Sequence, residues 1–168
     1  KHNIVNLLGA ISVAQYLNMS LREIKQQIKN IKPVPHRLEI LKSNSNVIVI
    51  DDTFNSNPEG VKYALEVLDM FESDNKILIT PGLIELGEKQ DMYNEKLGQL
   101  AGKICNHIIL IGSKRVQPIF DGVTQTGFDT SKCFIVKDLD TATKKLHSLL
   151  KKGTVVLFEN DLPDNYDE

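Results

Sequence analysis

The chain has 168 residues, of which 41% are apolar and 25% charged, and its formal net charge is −2. This length suffices for one full domain with some additional chain, and the composition is ordinary for a soluble globular protein. The charge gives no electrostatic footprint for nucleic acid or an anionic membrane, and no apolar run is long enough to span a bilayer. There is no signal peptide, and the chain opens without an initiator Met, so we expect it to be part of a longer protein.

Two helices are predicted at the start of the chain. Apolar residues recur at helical spacing over residues 2–17, and Ser20 with Glu23 forms a capping-box pattern that opens a second, short helix. The segment IKPVPHR follows, and its two prolines force an extended conformation. We therefore predict a domain boundary near residue 32, with residues 30–35 as a hinge between two folding units.

Strands and helices alternate in the rest of the chain. Four of the strands are short and nearly continuously apolar, which is typical of parallel strands buried on both faces. This pattern predicts a Rossmann-like, doubly wound, mostly parallel α/β sheet of about six strands with helices on both faces. The predicted strands lie in HRLEILKS, NVIVID, KILITPG, HIILIG, KCFIVKD and GTVVLFEN, the first two pairing across an NSN turn.

The loop after the second strand, IDDTFNSNP, is rich in polar residues. Open parallel sheets bind ligands beyond the carboxyl ends of their strands, so this loop is a candidate ligand site. Asp51 and Asp52 can accept hydrogen bonds from sugar hydroxyls or help to hold a cation, and Asn55 and Asn57 offer donors and acceptors. The simpler interpretation is that Asn57 caps the helix that Pro58 begins, and that Asp51 is a satisfied strand-end carboxylate.

The loop after the third strand, TPGLIELGEKQ, is the second polar candidate. Gly82 and Gly87 would let the backbone approach a ligand closely, although TPG is most simply a turn.

The cysteines and histidines give weaker signals. Cys105 and Cys133 have neither a disulfide framework nor metal-ligand spacing, and we interpret them as small buried side chains in a reducing cytoplasm. For His107 and His147 a structural role is the simpler prediction. Neither a P-loop nor a G-x-G-x-x-G fingerprint occurs, so the residues alone indicate an α/β domain with a polar rim.

Four segments in order, HNIVNLLGAISVA, PVPHRLE, IDDTFNSNPEG and TPGLIELG, closely resemble the Mur ligase family, and most of all its members that join D-alanyl-D-alanine to a UDP-N-acetylmuramoyl-tripeptide. The resemblance covers essentially the whole chain. It implies that residues 1–32 are the last helices of a central ATPase domain and residues 33–168 the Rossmann-like C-terminal domain. The P-loop would then lie upstream of Lys1.

The resemblance also suggests nucleotide-binding residues. In the family, the asparagines of the first segment lie beside the adenine, which implies Asn3 and Asn6. An Arg and an Asp reach the nucleotide from the C-terminal domain, which implies Arg37 and Asp52. These residue types fit the chemistry, since an Asp accepts from ribose hydroxyls and an Arg fork suits a polyanion.

Three further residues are candidates on the side of the amine substrate, namely Asn55, Asn57 and Glu85. We expect neither a catalytic residue nor a metal ligand in this chain, because the family's ATP and Mg²⁺ contacts lie mainly upstream.

The implied activity is that of a cytoplasmic, ATP-dependent ligase of peptidoglycan precursor synthesis, which activates a carboxylate as an acyl phosphate that an amine then attacks. Its partners would be ATP, a UDP-MurNAc-peptide, D-alanyl-D-alanine and its own upstream domains. The chain alone would be inactive. One departure leaves both the acceptor and the amine open: FENDLPDNYDE is acidic where the family carries a basic, Ser/Arg-containing segment. The alternative is a non-catalytic binding or regulatory domain that kept the fold.

Overall fold

The computed structural model describes residues 2–32, 34–42, 46–54 and 56–161, with side chains described from Ile4 onward. It divides into two compact units, Lys1–Val34 and Pro35–Glu168. The turn predicted between the first two strands includes residues outside this described part, as does Asn55.

The first unit consists of two helices, α1 (His2–Tyr16) and α2 (Leu21–Ile28). The predicted capping box is present: the Ser20 hydroxyl accepts from the Glu23 N–H, and the Glu23 carboxylate accepts from the Ser20 N–H at 2.9 Å. This reciprocal pairing satisfies backbone donors that the first turn of a helix leaves without partners.

The second unit is built on six strands: β1 (Glu39–Lys42), β2 (Ile48–Asp52), β3 (Lys76–Thr80), β4 (His107–Ile111), β5 (Cys133–Val136) and β6 (Val155–Glu159). Four helices connect them: α3 (Pro58–Asp69), α4 (Gln90–Ile104), α5 (Gln117–Thr124) and α6 (Leu139–Leu149). Short 3₁₀ turns lie at Gly87–Lys89 and Thr130–Lys132.

The strands form one sheet in the order β1-β2-β6-β3-β4-β5. Only β1 runs antiparallel to its neighbour, and the other neighbouring pairs are parallel. The prediction of a mostly parallel, Rossmann-like sheet of about six strands is therefore confirmed. The last strand, β6, lies between β2 and β3, so the carboxyl ends of these three strands are adjacent.

The core lies on both faces of the sheet because successive strand side chains point to opposite faces. On one face, Leu78 and Leu157 pack with residues from α3, α4 and α5. On the other face, Ile77 and Val156 pack with residues of α6. Each Å² of apolar surface removed from water stabilises the folded state by about 25 cal/mol, so this two-sided packing is the main stabilising contribution.

Pro118 and Gly122 weaken the helical pattern of α5 in the sequence, and the structure explains why the helix contains both. Pro118 lies in the first turn, where a missing N–H costs no intrahelical hydrogen bond. Gly122 is needed where α5 crosses α4, because a Cβ there would lie 2.0 Å from the Glu95 carbonyl oxygen.

The two cysteines are buried, as predicted. The ring Nδ1 of His107 lies 3.0 Å from the Asn75 side-chain oxygen, which agrees with a structural role. Within the described ranges, no helix combines the length and the apolar character that a bilayer crossing requires.

Candidate nucleotide-binding edge

The candidate site lies at the carboxyl ends of β2, β6 and β3, which we call the ligand edge. β2 ends in Asp51 and Asp52, and β6 ends in Glu159, followed by Asn160. Asp52 and Glu159 are register partners on neighbouring parallel strands, so their side chains lie on the same face of the sheet. The ligand edge is thus more acidic than the residues of IDDTFNSNP alone suggested.

Asp51 is a braced strand-end carboxylate, in line with the simpler interpretation of the sequence. Its Oδ1 accepts from the Thr53 N–H at 3.2 Å and from the Thr53 hydroxyl at 2.8 Å, and its Oδ2 lies 2.9 Å from His36 Nδ1. Partial burial acts to raise the pKa of Asp51, but the bonds from Thr53 and His36 outweigh it and hold the pKa below its usual range.

Asp52 connects β2 to the segment that precedes β1. Its Oδ1 accepts from the Leu38 N–H at 3.0 Å, and its backbone carbonyl oxygen accepts from the Asn160 N–H at 3.1 Å.

Arg37 lies on the same edge as Asp52, because the next residue, Leu38, donates to the Asp52 carboxylate. The Arg37 side chain is exposed, and its guanidinium carbon is 4.6 Å from the centre of the Phe54 ring. The Phe54 N–H donates to the His36 carbonyl oxygen at 3.1 Å, which ties the two loops together. Arg37 therefore lies in a segment that is hydrogen-bonded to Asp52, and the role of both residues in nucleotide binding stays a prediction.

The remaining predicted nucleotide residues belong to the first unit. Asn6 is exposed on α1, and the side chain of Asn3 is outside the described residues. Their proximity to a nucleotide stays a prediction.

Of the candidates on the amine side, Asn57 is the helix cap that the simpler interpretation predicted. Its side-chain oxygen accepts from the N–H groups of Glu59 at 3.2 Å and Gly60 at 3.0 Å, so that oxygen is engaged within α3. Glu85 is exposed and has φ of 62°, an uncommon backbone conformation for a non-glycine residue. Asn55 lies outside the described part of the chain.

The loop after β3 is held from inside the protein. Gly82 has φ of 86°, and a Cβ at this position would lie 3.0 Å from Asn94 Oδ1. The Asn94 side chain, which is fully buried, accepts from the Leu83 N–H at 2.8 Å and donates to the Leu83 carbonyl oxygen at 3.0 Å. Glycine is thus required here by a protein contact, and not only by a possible ligand.

Two residues at the end of β6 are functional candidates that we did not predict. Asn160 donates to the Gly82 carbonyl oxygen at 2.7 Å and accepts from the Ser56 N–H at 3.2 Å, so it joins three segments of the ligand edge. Glu159 is completely buried, and one of its oxygens accepts from the Ser56 hydroxyl. The only sequence signal was their position after an apolar strand, within a segment that we had interpreted simply as acidic.

A cavity of about 540 Å³ lies at the amino ends of β3 and β6, opposite the ligand edge. It is lined by residues 72–75, which directly precede β3, and by residues 151–153, which precede β6. Because parallel sheets bind ligands at the carboxyl ends of their strands, this cavity is separate from the candidate site.

An open, mostly parallel sheet with polar residues where β2, β6 and β3 end is the architecture of a Rossmann-like ligand-binding domain. The sequence profile described as "Mur ligase, glutamate ligase domain" matches residues 36–159, which is most of the second unit. The chain belongs to the Mur ligase family.

Curated relatives carry the names of several ligases of this family. The chain is 36% identical over 122 residues to a UDP-N-acetylmuramoyl-tripeptide--D-alanyl-D-alanine ligase of Buchnera aphidicola, covering 71% of this chain and 27% of the relative. It is 29% identical over 156 residues to the enzyme of that name from Escherichia coli, covering 92% and 34%. A UDP-N-acetylmuramoylalanine--D-glutamate ligase of Clostridioides difficile is 28% identical over 156 residues, covering 93% and 32%.

Solved structures support the same fold. MurF from Acinetobacter baumannii superposes with a TM-score of 0.83 at 22% identity, covering 96% of this chain and 35% of that one. MurF from Thermotoga maritima, solved with ADP, superposes with a TM-score of 0.78 at 24% identity, covering 94% and 34%. The chain spans about a third or less of the length of these relatives.

Proposed function

We propose that this chain is the C-terminal part of an ATP-dependent, amide-forming ligase of peptidoglycan precursor synthesis in the cytoplasm. The intact enzyme would add D-alanyl-D-alanine, or a related amine, to a UDP-MurNAc-peptide through an acyl phosphate. The names of the relatives support this proposal, as does the ADP in one similar structure. The observation that carries it is that Asp52, at the ligand edge, accepts a hydrogen bond from Leu38, the residue that follows Arg37.

The chain's own contribution is nucleotide binding by positioning and electrostatics. The Asp52 carboxylate accepts hydrogen bonds from the ribose hydroxyls, and the Arg37 guanidinium faces the phosphates. Neither group transfers a proton. They lower the barrier by holding the nucleotide while the acyl phosphate forms, and the P-loop and Mg²⁺ ligands are contributed by residues upstream. Among the described residues, no group of three or more His, Cys, Asp or Glu side chains could hold a metal ion.

The test is an ATP-dependent ligation assay on the full-length protein with UDP-MurNAc-tripeptide and D-alanyl-D-alanine. Arg37→Ala should raise the KM for ATP about tenfold or more, because a bond to a charged group is lost. Lys103→Ala, which removes an exposed cation from the end of α4, is the matched control and should have no effect. An unchanged KM for ATP in Arg37→Ala would contradict the assigned role.

The second candidate is a binding or regulatory domain without ligase activity. It is favoured by the acidic segment FENDLPDNYDE, which stands where the family resemblance implies a basic, Ser/Arg-containing segment. Binding of the UDP-linked peptide without turnover of any amine would support the second candidate instead.

A further inference from the structure

Glu159 and Asp52 form a pair of carboxyl groups at the centre of the ligand edge. They are register partners on β6 and β2, and strands in a sheet are about 4.8 Å apart. The two side chains are within hydrogen-bonding reach of each other. Two carboxylates this close cannot both ionise without a large electrostatic cost.

The surroundings of Glu159 suit the neutral acid. The residue is 0% exposed, and the Ser56 hydroxyl donates to its Oε1. Its Oε2 is buried, and no donor among the described residues reaches it. An ionised oxygen in that position would be costly, whereas a protonated one can donate.

The charged group that acts on Glu159 is Asp52, from β2. Two uncharged residues also lie next to Glu159. Thr80 is on β3 and follows Ile79, which pairs with Phe158, and Ser56 is in the loop after β2. Neither of these hydroxyls titrates in the relevant range. Burial raises the pKa of Glu159 to about 8; the bond from Ser56 opposes this, and the Asp52 charge adds to it.

We propose that Glu159 is a positioning residue for Asp52: it carries a proton at neutral pH and donates it to the Asp52 carboxylate. The proton bridges β6 and β2, and the pair holds one negative charge. Asp52, which also accepts from the Leu38 N–H, is thereby fixed as a charged acceptor at the ligand edge. This inference rests on the proposed nucleotide role of Asp52.

The consequence is a loss of nucleotide affinity in mildly alkaline solution. When Glu159 ionises, the bridging bond is lost and two like charges repel each other beside a polyanionic ligand. The Glu159→Gln variant cannot ionise, and its amide N–H₂ can still donate to Asp52. Nucleotide binding by this variant should therefore not change over the same pH range.

The first measurement is the titration of the glutamate side-chain carboxyl ¹³C signals of the chain by NMR. We expect one signal to titrate near pH 8, to be absent from Glu159→Gln, and to move to lower pH in Asp52→Asn. Titration of Glu159 in the ordinary range of exposed glutamates would overturn the shared proton. This result does not depend on whether the protein binds a nucleotide.

The second measurement is ADP binding by the full-length protein, followed by calorimetry from pH 6.5 to 9.5. A binding assay is used because it contains no amine substrate, whose own titration would interfere with a turnover assay. Wild-type affinity should fall about tenfold above pH 8, as expected for a weakened bond to a charged group, while Glu159→Gln stays constant. Glu66→Gln, an exposed position on α3, is the matched control and should follow the wild type.

The outcomes separate the two proposals. Asp52→Ala binding ADP as well as the wild type at every pH would refute the nucleotide role of Asp52, and with it the positioning role of Glu159. Weakened binding by Asp52→Ala, together with the same pH dependence in wild type and Glu159→Gln, would refute only the positioning role.

Discussion

The Asn160 side-chain amide donates to the Gly82 carbonyl oxygen at 2.7 Å, which joins the end of β6 to the loop that follows β3. Asn160 has φ of 65°, in the left-handed region that asparagine tolerates better than most residues. Its backbone N–H donates to Asp52 and its side-chain oxygen accepts from Ser56, so a single buried residue connects β2, β6 and β3 at the ligand edge.

Replacing Asn160 should destabilise the second unit. Asn160→Ala removes two side-chain hydrogen bonds, one buried and one partly buried, and forces alanine into positive φ, so we expect a loss of roughly 2–4 kcal/mol in the free energy of unfolding. Asn160→Gly keeps the backbone freedom and should lose less. Urea unfolding of both variants measures the difference, and equal stability of Asn160→Ala and the wild type would show that these bonds contribute nothing.

Asp52→Ala tests the nucleotide role directly. In the full-length enzyme we expect the KM for ATP to rise about ten- to a hundredfold, since a bond to a charged group is lost, while the KM for the UDP-linked acceptor changes little. Steady-state kinetics with each substrate varied in turn, beside a melting curve, provide the measurement. If Asp52 served only to hold Leu38, both substrates would be affected together and the melting temperature would fall.

The buried acid at Glu159 predicts a pH dependence of stability. Its pKa is raised from 4.5 to about 8 in the folded state, so the folded state binds the proton more tightly than the unfolded state. The stabilisation is fully present below pH 4.5 and is lost as the pH rises through 8. The slope approaches about 1.4 kcal/mol per pH unit.

Chemical unfolding of wild type and Glu159→Gln between pH 5 and 8 isolates this contribution, because other titrating groups act equally in both proteins. The free energy of unfolding should fall more steeply with pH in the wild type. Parallel curves over this range would mean that Glu159 is ionised in the folded protein.

Asn57 offers a test of capping against ligand contact. Asn57→Ala should cost about 1 kcal/mol of stability, because the N–H groups of Glu59 and Gly60 lose their acceptor. Asn57→Asp keeps an accepting oxygen and should keep most of the stability. A kinetic defect in Asn57→Asp at normal thermal stability would reveal a substrate contact beyond the cap.

Local signals explain why the strands and helices could be predicted from the sequence. Continuous apolar runs such as HIILI, the capping residues Ser20 and Asn57, and Pro58 at a helix start each determine structure within a few neighbouring residues. These signals also predicted the edge of the sheet at which Asp52 lies.

The acidic pair could not be predicted, because it depends on contacts between residues far apart in the sequence. Nothing in the sequence states that β6 inserts between β2 and β3, and only that strand order makes Asp52 and Glu159 neighbours across more than a hundred residues. The register then decides that both side chains share a face. With another register, Glu159 would follow an apolar strand without lying beside Asp52.

The reversed direction of β1 determines where the polypeptide enters the second unit. Because β1 is antiparallel to β2, its first residue pairs with Asp51, and residues 36–38 lie beside the carboxyl end of β2. A parallel β1 of the same length would begin at the other end of β2, about 10 Å away, since a strand rises about 3.3 Å per residue. Arg37 would then be out of reach of a nucleotide at Asp52. The antiparallel pairing of β1 and β2 thus makes the entry segment itself part of the surface that we propose to bind the nucleotide.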